Sequence, residues 1–561
     1  MAVLEKLPPK RVGSADFLAW DDTADVVVVG FGGAGACASL EAREQGADVI
    51  AIDRFRGGGA TAYSGGIIYA GGTKFQKEAG FDDTAEQMYA YLAREVGNIV
   101  QPRTLRRYCE ESAANLDWLI AHGVPYASDA YLDKTIYPPD GKFLYYSGNE
   151  KVAEFAAHST PAPRGHRPVG TGMTGHVYYA ALALAAIKAG VRLRSHEKVI
   201  RLVVDDSSRV IGVETSRVPD ALRAEHDHLY AKVIPMLPFK AVSSERATAA
   251  ARALEARGAD TRLIRARRGV VLATGGFAYN LDMMQQYQPF FAQNYRALMR
   301  LGSAGCDGSG IELGQSVGGA TGLMDKAYAA RNVAPPNALL DGVLINEAGK
   351  RFVNEDAYSG LLGLAIAAQP KGRAWLVLPA ASFRRALKQS VSSGMLFFKF
   401  YGIPALLNMF LGGTKRAGRL DGLALKCGVD PAGLLKTMEA YRRPIEPGAT
   451  DDFGRVGENR KPMHKGPYYA INMSIPNIYA FTYFFTLGGL VVDEDTGAVK
   501  TAAGQPIEGL YAAGRAAVGL CSNGYISGMS IGDGMFSGRR AGRVCATANA
   551  SSANRAVAQV G

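Results

Sequence analysis

The hydrophobic pattern near the N-terminus predicts a strand, a tight turn, a helix and a second strand. Residues 25–29 read DVVVV, a run of β-branched residues typical of a buried strand. GFGGAG follows directly, ACASLEAREQGA has helical periodicity, and the second strand, DVIAID, ends at Asp53. Two later segments, 267–280 (RRGVVLATGGFAYN) and 506–519 (PIEGLYAAGRAAVG), again join an apolar strand to glycines. The pattern therefore predicts an α/β, Rossmann-like fold.

The first glycine turn indicates a dinucleotide site. Gly30, Gly32 and Gly35 have the GxGxxG spacing, which permits a tight turn and lets a pyrophosphate approach the helix N-terminus. Asp53 is placed to bind ribose hydroxyls. A purely structural glycine turn is the alternative.

The rest of the chain favours FAD over NAD. The glycine-rich loop RFRGGGATAYSGGIIYAGG follows Asp53, and its backbone N–H groups could surround a long anionic cofactor. Predicted nucleotide contacts lie near both ends of the chain, with a long insertion between them. This arrangement suits an FAD-binding domain.

Size, composition and charge limit the classes of protein to which this chain could belong. The 561 residues predict two domains, and 48% apolar with 20% charged residues is a globular composition. The six cysteines have no metal or disulfide spacing, so we expect no metal site and a reducing cytoplasm. The first residues, MAVLEKLPPKRVGSADF, have no apolar core of a secretory signal, and no apolar run reaches about 18 residues. The net charge of +11 fits anionic lipid, acidic substrates or an ordinary solvated surface; the basic residues are scattered, which disfavours nucleic acid.

Seven segments in order resemble the fumarate reductase/succinate dehydrogenase flavoprotein superfamily. They are VVVGFGGAGACAS, the loop with TAYSGG, LATGGF, GSAGCDGSGIELGQSVGGA, GKRFVNED, FTLGGLVVDEDTGAV and GLYAAGR. The resemblance implies a bound FAD and an FAD-binding domain of two chain segments, 1–283 and 484–561. It also implies an inserted α+β substrate-capping domain over 284–483.

The cofactor residues are assigned from the glycine motif, the glycine-rich loop and the matching superfamily segments. They are Gly30, Gly32, Gly33, Ala34, Gly35, Asp53, Arg54, Gly59, Ala60, Thr61, Ser64, Gly65, Gly66, Ala273, Thr274, Gly275, Asp307, Gly514, Arg515, Ser530 and Ile531.

Two features select a branch of the superfamily. Fumarate reductases carry a substrate-gripping histidine where this chain has Phe485, within YAFTYFFTLGG, which argues against a dicarboxylate. Phe481 is interpreted as a core residue of this aromatic stretch. GYISG, at 524–528, is similar to the flavin-dependent 3-ketosteroid dehydrogenases, and its Gly-Tyr-x-Ser-Gly pattern is typical of the 4-dehydrogenases.

The resemblance implies that Tyr525 is the catalytic base. Tyr358 is the predicted partner phenol, with Tyr63, Tyr69, Tyr146 and Tyr483 as substitutes. The Ser527 hydroxyl and the N–H groups of Ser527 and Gly528 are the predicted donors to a ketone oxygen. Ser527 or Ser530 could instead cap the last helix.

The leading hypothesis is an FAD-dependent oxidoreductase that desaturates a 3-oxosteroid at C4–C5 and passes electrons to an unidentified acceptor. Alternatives are 3-ketosteroid 1-dehydrogenation, a non-steroid enone or fumarate reductase-like flavoenzyme, and a lipid-binding or electron-relay flavoprotein without turnover.

Residues 394–413, GMLFFKFYGIPALLNMFLGG, are apolar, kinked and flanked by basic residues. The segment fits an interfacial helix or a lid over the pocket. We therefore expect a cytoplasmic protein with a possible contact to the inner face of the cell membrane.

Overall fold

A nine-stranded sheet forms the centre of the fold. The computed structural model describes residues 7–233, 238–257, 260–392, 394–446, 448–461 and 463–548. Seven strands follow one another across this sheet: Lys10–Arg11, Glu197–Val204, Val210–Arg217, Asp260–Leu272, Asp22–Val29, Val49–Ile52 and Arg192–Arg194. Pro506–Ala512 and Ala498–Lys500 complete it beside Asp260–Leu272.

The strand Asp260–Leu272 joins distant parts of the chain. Its first half pairs antiparallel with Val210–Arg217, whereas Gly269–Leu272 pairs parallel with the first βαβ strand, Asp22–Val29. Its end also pairs parallel with Pro506–Ala512. Segments more than 200 residues apart therefore share one α/β sheet, as the repeated strand-and-glycine pattern predicts.

Two helices cover one face of this sheet. Gly33–Glu44 follows the first strand, and Met529–Thr547 packs across it. A Cβ on Gly538 would lie 2.5 Å from the Ala34 carbonyl oxygen, so only glycine allows the two backbones this close. The contact brings the N-termini of both helices to the same edge of the sheet.

The segment between 284 and 483 forms further sheets. One has four antiparallel strands in the order Val343–Ile345, Trp375–Pro379, Tyr468–Asn472 and Lys415–Ala417. The other has the order Leu298–Arg300, Thr482–Thr486 and Ala327–Ala330. Two smaller sheets include strands outside this segment. One pairs Thr321–Gly322 with Gly489–Leu490, and the other has the order Ile68–Tyr69, Gly165–His166, Leu144–Tyr145 and Ala130–Tyr131.

The remaining α-helices surround these sheets. Their bounds are Lys74–Glu78, Ala85–Val96, Pro102–Ala121, Ala153–Ala156, Gly175–Lys188, Arg223–Ala231, Ala241–Glu255, Leu281–Tyr287, Pro289–Gln293, Ser309–Ser316, Ser359–Ala367, Ala380–Ser392, Met395–Phe397, Ile403–Leu411, Leu420–Cys427 and Pro431–Arg442. In the part of the chain that the structure describes, no single helix has the length and apolarity to cross a membrane; the pair Ala380–Ser392 and Met395–Leu411 would pass together but is bent by 117°.

Candidate active site

A cavity of about 840 Å³ lies where the glycine turns meet the segment 284–483. Its walls contain every residue assigned to the cofactor from the sequence except Gly35 and Asp307. They also contain all four proposed catalytic residues: Tyr358, Tyr525, Ser527 and Gly528. Residues from opposite ends of the chain thus surround one space.

The two exceptions lie behind the wall. A Cβ on Gly35 would lie 1.8 Å from the Gly30 carbonyl oxygen, so only glycine lets the helix pack this closely on the turn. The role of Gly35 is therefore in this packing, and the residue does not contact the cavity. Asp307 is buried and forms an ion pair with Arg54 at 2.6 Å. Asp307 therefore does not line the cavity as predicted, and instead it positions Arg54, which does.

The glycine end of the cavity fits a dinucleotide. The helices Gly33–Glu44 and Met529–Thr547 both begin at this wall, and the N-cap of each is a glycine without a capping side chain; the Gly33 N–H donates to Thr61 Oγ1 at 3.2 Å. Their first backbone N–H groups have no partner within their own helices, which favours an anionic ligand. Gly30 has a φ of +92°, and a Cβ there would meet the Ala273 oxygen at 2.7 Å. The buried Thr274 hydroxyl has no partner. The residues present thus fit FAD.

Asp53 is held rigidly at this end. Its two carboxylate oxygens accept hydrogen bonds from the N–H groups of Phe31 and Phe55, each at 2.8 Å. Burial raises the pKa of Asp53, although these N–H groups oppose the shift. Each oxygen keeps a lone pair, so the carboxylate can still accept a ribose hydroxyl.

Tyr525 lies at the other end, inside an aromatic cluster. Its ring meets that of Tyr328 at a centroid distance of 4.6 Å and that of Phe485 at 4.9 Å, both edge-on. Burial raises the pKa of Tyr525 above its usual range, while Arg515 and the Gly528 N–H act in the opposite direction. The phenol is therefore protonated in the resting site, and Arg515 and the Gly528 N–H are placed to stabilise its phenolate.

Tyr328 is the phenol that the sequence analysis missed. It lines the cavity, and its hydroxyl lies 3.2 Å from that of Tyr358. Burial raises the pKa of Tyr328 to about 12. Tyr358, the predicted partner, also lines the cavity, but the ring in direct contact with Tyr525 is that of Tyr328. Burial keeps Tyr328 protonated as well, and the added basicity expected from a second phenol stays a prediction.

Ser527 is positioned by a second tyrosine that sequence reasoning missed. The Tyr145 hydroxyl lies 3.0 Å from Ser527 Oγ and 3.0 Å from the Ile136 carbonyl oxygen. Because the phenol has one proton and the carbonyl only accepts, the phenol oxygen can accept the Ser527 proton while it donates to Ile136. Ser527 also lines the cavity. The Ser527 backbone N–H donates to the Ser147 carbonyl at 3.1 Å, so its predicted role as an oxyanion donor is wrong. The Gly528 N–H is near the Tyr525 hydroxyl and lowers its pKa.

The helix-cap interpretation of the serines is also wrong. The last helix begins at Met529, and its N-cap is Gly528, which has a φ of +101° and no capping side chain. Ser530 is within the helix and Ser527 precedes the cap. The glycine allows the chain to turn so that Tyr525 and Ser527 both line the cavity.

The aromatic stretch before Thr486 divides between cavity and core. Phe485 and Tyr483 line the cavity, whereas Phe484 is fully buried away from it, as strand alternation predicts. Phe481 also lines the cavity, contrary to its interpretation as a core residue, because it precedes the strand Thr482–Thr486 and escapes the alternation.

Only some of the four tyrosines that could replace Tyr358 line the cavity. Tyr63 and Tyr483 line it, but the Tyr69 hydroxyl donates to Glu150 and Tyr146 packs edge-on against Phe81. The lid prediction for 394–413 is supported, since Phe400, Tyr401 and Pro404 line the cavity. In the described residues, no three His, Cys, Asp or Glu side chains are grouped as a metal would need.

Comparisons with known proteins agree with this geometry. Residues 25–531 match the family described as "FAD binding domain". The chain is 38% identical to the 3-oxo-5-alpha-steroid 4-dehydrogenase of Comamonas testosteroni, over 90% of this chain and 94% of that protein. It is 27% identical to a 3-oxosteroid 1-dehydrogenase of Mycobacterium tuberculosis, over 92% of this chain and 96% of that one.

A solved structure is also similar. The 3-ketosteroid-delta4-(5alpha)-dehydrogenase from Rhodococcus jostii RHA1, in complex with 4-androstene-3,17-dione, has a TM-score of 0.79 and 33% identity to this chain. The match covers 96% of this chain and all of that one. The chain therefore belongs to the FAD binding domain family, in the group that contains the 3-oxo-5-alpha-steroid 4-dehydrogenase of Comamonas testosteroni, and its cofactor is FAD.

Proposed function

We propose that this protein is an FAD-dependent 3-oxosteroid 4-dehydrogenase, which removes two hydrogens across C4–C5 of the A ring. One observation carries the proposal. Tyr525 and Ser527, on one glycine turn, face an aromatic cavity whose opposite end fits the cofactor. The relatives named for this activity support the same reaction.

The chain's own residues would hold the cofactor at the glycine end. The pyrophosphate would lie at the N-termini of Gly33–Glu44 and Met529–Thr547, and Asp53 would accept the ribose hydroxyls. Arg54, held by Asp307 and Glu255, would offer its remaining N–H groups to the cofactor. When bound, FAD supplies the hydride acceptor of the reaction at N5 of its flavin.

Tyr525 would take the C4 proton. A proton beside a ketone is acidic enough to be removed only when the developing enolate oxygen is stabilised, and the Ser527 hydroxyl would turn from Tyr145 to donate to that oxygen. The phenolate of Tyr525 is stabilised by Arg515 and the Gly528 N–H, because both lower its pKa. The surrounding rings of Tyr328 and Phe485 exclude water from the proton-transfer path.

The domain architecture belongs to the same proposal. The segments 1–283 and 484–561 would form the FAD-binding domain, since strands from both share the central sheet. The segment 284–483 would form the capping domain. Phe400 and Tyr401 support this division, because they belong to the segment 284–483 and line the same cavity as the glycine turns.

The test is product identification with purified holoenzyme. Saturated 5α- and 5β-3-oxosteroids and a Δ4-3-oxosteroid are each incubated with an artificial electron acceptor. A new C4–C5 double bond, seen by product mass and by enone absorbance, supports the proposal. Conversion of only the Δ4-ketone would indicate 1-dehydrogenation, and no flavin reduction by any of them under anaerobic conditions would indicate a protein without this turnover.

We also propose that the outer side of the lid rests on an anionic lipid surface. Met395, Phe410 and Leu411 are 68%, 67% and 57% exposed, and Arg384 and Lys388 on the preceding helix are exposed as well. Apolar side chains with basic neighbours favour an anionic bilayer surface, where a steroid is concentrated. This contact would place a cytoplasmic enzyme at the inner face of the cell membrane.

Vesicle binding tests the lipid contact. Holoenzyme should sediment with vesicles containing anionic lipid and much less with neutral ones. Phe410→Ser should weaken that binding without changing turnover of a detergent-dispersed steroid. Equal sedimentation of wild type and variant would contradict the contact.

A further inference from the structure

A buried arginine beside the cavity has no anionic partner. Arg331 is 1% exposed, and its Nη2 donates to the Ser474 carbonyl at 2.7 Å. Nε and Nη1, which together carry three N–H bonds, have no hydrogen-bond partner. In the described part of the chain, no carboxylate is recorded in an ion pair with this guanidinium.

A buried guanidinium without an anionic partner lowers the stability of the folded protein. Most of the buried arginines here are paired, for example Arg164 with Asp83 and Arg455 with Glu355. Burial of Arg331 without a counter-ion lowers its pKa to about 9. A folded chain keeps an unpaired buried charge at a large cost in stability, which makes a functional partner for it worth seeking.

Arg331 lines a side chamber of about 50 Å³ that adjoins the main cavity. The two spaces share wall residues, among them Asn332, Phe400 and Tyr483. The side-chain oxygen of Asn332 is also buried without a partner. The chamber is thus a small, mostly apolar recess in which Arg331 and Asn332 supply unpartnered polar groups, and it shares part of its wall with the main cavity.

The chamber is remote from the reacting end. Tyr328 pairs with Phe485 in the sheet, and both rings touch Tyr525. Tyr483 precedes Phe485 by two residues on the same face of the strand Thr482–Thr486, about 7 Å along it, and lines both the cavity and the chamber. A ligand whose ketone lies at Tyr525 and which extends past Tyr483 would bring its opposite end to the chamber that Arg331 lines.

We infer that Arg331 receives a carboxylate at the end of the substrate remote from the A ring, so that the preferred substrates are 3-oxosteroids with an acidic side chain. The inference rests on the proposed function and narrows its substrate class. The guanidinium would pair with the carboxylate inside the recess, where a charge-assisted hydrogen bond is strong. The net charge of +11 would also attract an anionic substrate.

Matched substrates test the inference with holoenzyme. One 3-oxo-5α-steroid carries a side chain that ends in a carboxylate, the second is its methyl ester, and the third has no side chain. The KM of wild type should be about 10- to 100-fold lower for the acid than for the ester, as expected for a hydrogen bond to a charged group. The kcat values should agree within a few fold.

Three variants identify the residue. Arg331→Met should raise the KM of the acid to that of the ester and leave the ester unchanged, while Arg331→Lys should retain part of the preference. Arg246→Met removes an equal charge from an exposed position on Ala241–Glu255 and should change neither KM. Arg331→Met should also raise the melting temperature, because it removes an unpaired buried charge.

The outcomes separate the two proposals. Equal KM values for acid and ester in wild type, or an equal effect of Arg331→Met on both, would overturn the carboxylate site while leaving the dehydrogenase intact. If no 3-oxosteroid is turned over, the proposed function fails. Equilibrium dialysis of the acid then still tests the site, because Kd should rise in Arg331→Met and an unchanged Kd would overturn it.

Discussion

Replacing Tyr525 by phenylalanine removes one oxygen atom from the site. The ring contacts with Tyr328 and Phe485, at centroid distances of 4.6 and 4.9 Å, do not involve that oxygen and should remain. The hydroxyl near the Gly528 N–H is lost, which should change the free energy of unfolding by about 1 kcal/mol. The variant should therefore fold, bind FAD and bind steroid normally.

Turnover should be almost abolished. A positioned general base contributes about 10²- to 10⁴-fold, so we expect kcat to fall by about 1,000-fold, or about 4 kcal/mol in activation free energy. Steady-state rates with saturating 3-oxosteroid and an artificial acceptor measure kcat, and equilibrium dialysis measures steroid binding. Tyr146→Phe is the matched control, since Tyr146 packs against Phe81 and does not line the cavity.

The pH profile gives an independent check. Tyr525 must be deprotonated to accept a proton, and burial raises its pKa, so the wild-type kcat should rise with pH through the alkaline range. The residual rate of Tyr525→Phe should lack this rise. A variant that keeps the wild-type kcat and its pH dependence would refute the assignment of Tyr525 as the base.

Three further changes have expected outcomes. Tyr328→Phe keeps the ring that packs on Tyr525 and removes only a neutral hydroxyl, so kcat should stay within about 10-fold of wild type and still rise in the alkaline range; loss of that rise would contradict Tyr525 as the base. Gly35→Ala should reduce the flavin bound per chain, since its Cβ would lie 1.8 Å from the Gly30 oxygen, whereas Gly418→Ala, with open space around it, should not. Burial raises the pKa of Asp533 from 3.8 to about 6, so the folded state binds the extra proton and loses about 3 kcal/mol of stability as pH rises through this range. Asp533→Asn should remove that loss, and urea midpoints at pH 4 and pH 7 measure it; an unchanged difference between the two pH values would contradict it.

The glycine end of the site could be predicted because its residues are adjacent in sequence. Gly30 and its neighbours act through local backbone geometry, and one βαβ unit carries the whole signal. The five residues of GYISG are also adjacent in sequence, so Tyr525 and Ser527 could be assigned from this short pattern. The cavity wall confirms that these segments converge, while the individual roles stay predictions.

The other half of the site depends on the pairing of distant strands. Tyr328 reaches Tyr525 only because Ala327–Ala330 pairs antiparallel with Thr482–Thr486, a register that no local pattern specifies. Tyr145 likewise meets Ser527 across 382 residues of sequence. Among the chain's 26 tyrosines, side-chain chemistry alone could not single out these two.

Burial has two opposing effects on Tyr525, the proposed base, and both matter for the proposed reaction. It keeps Tyr525 protonated in the resting site, which lowers the fraction ready to react. It also makes the phenolate, once formed, a stronger base, and a carbon acid beside a ketone requires one. In the proposed reaction, the Ser527 hydroxyl would stabilise the enolate oxygen and Arg515 would stabilise the phenolate, and both would lower the barrier to proton transfer. By the same reasoning, a site with less burial would ionise more easily but remove the C4 proton more slowly, so the aromatic enclosure would be part of the chemistry and not only of the packing.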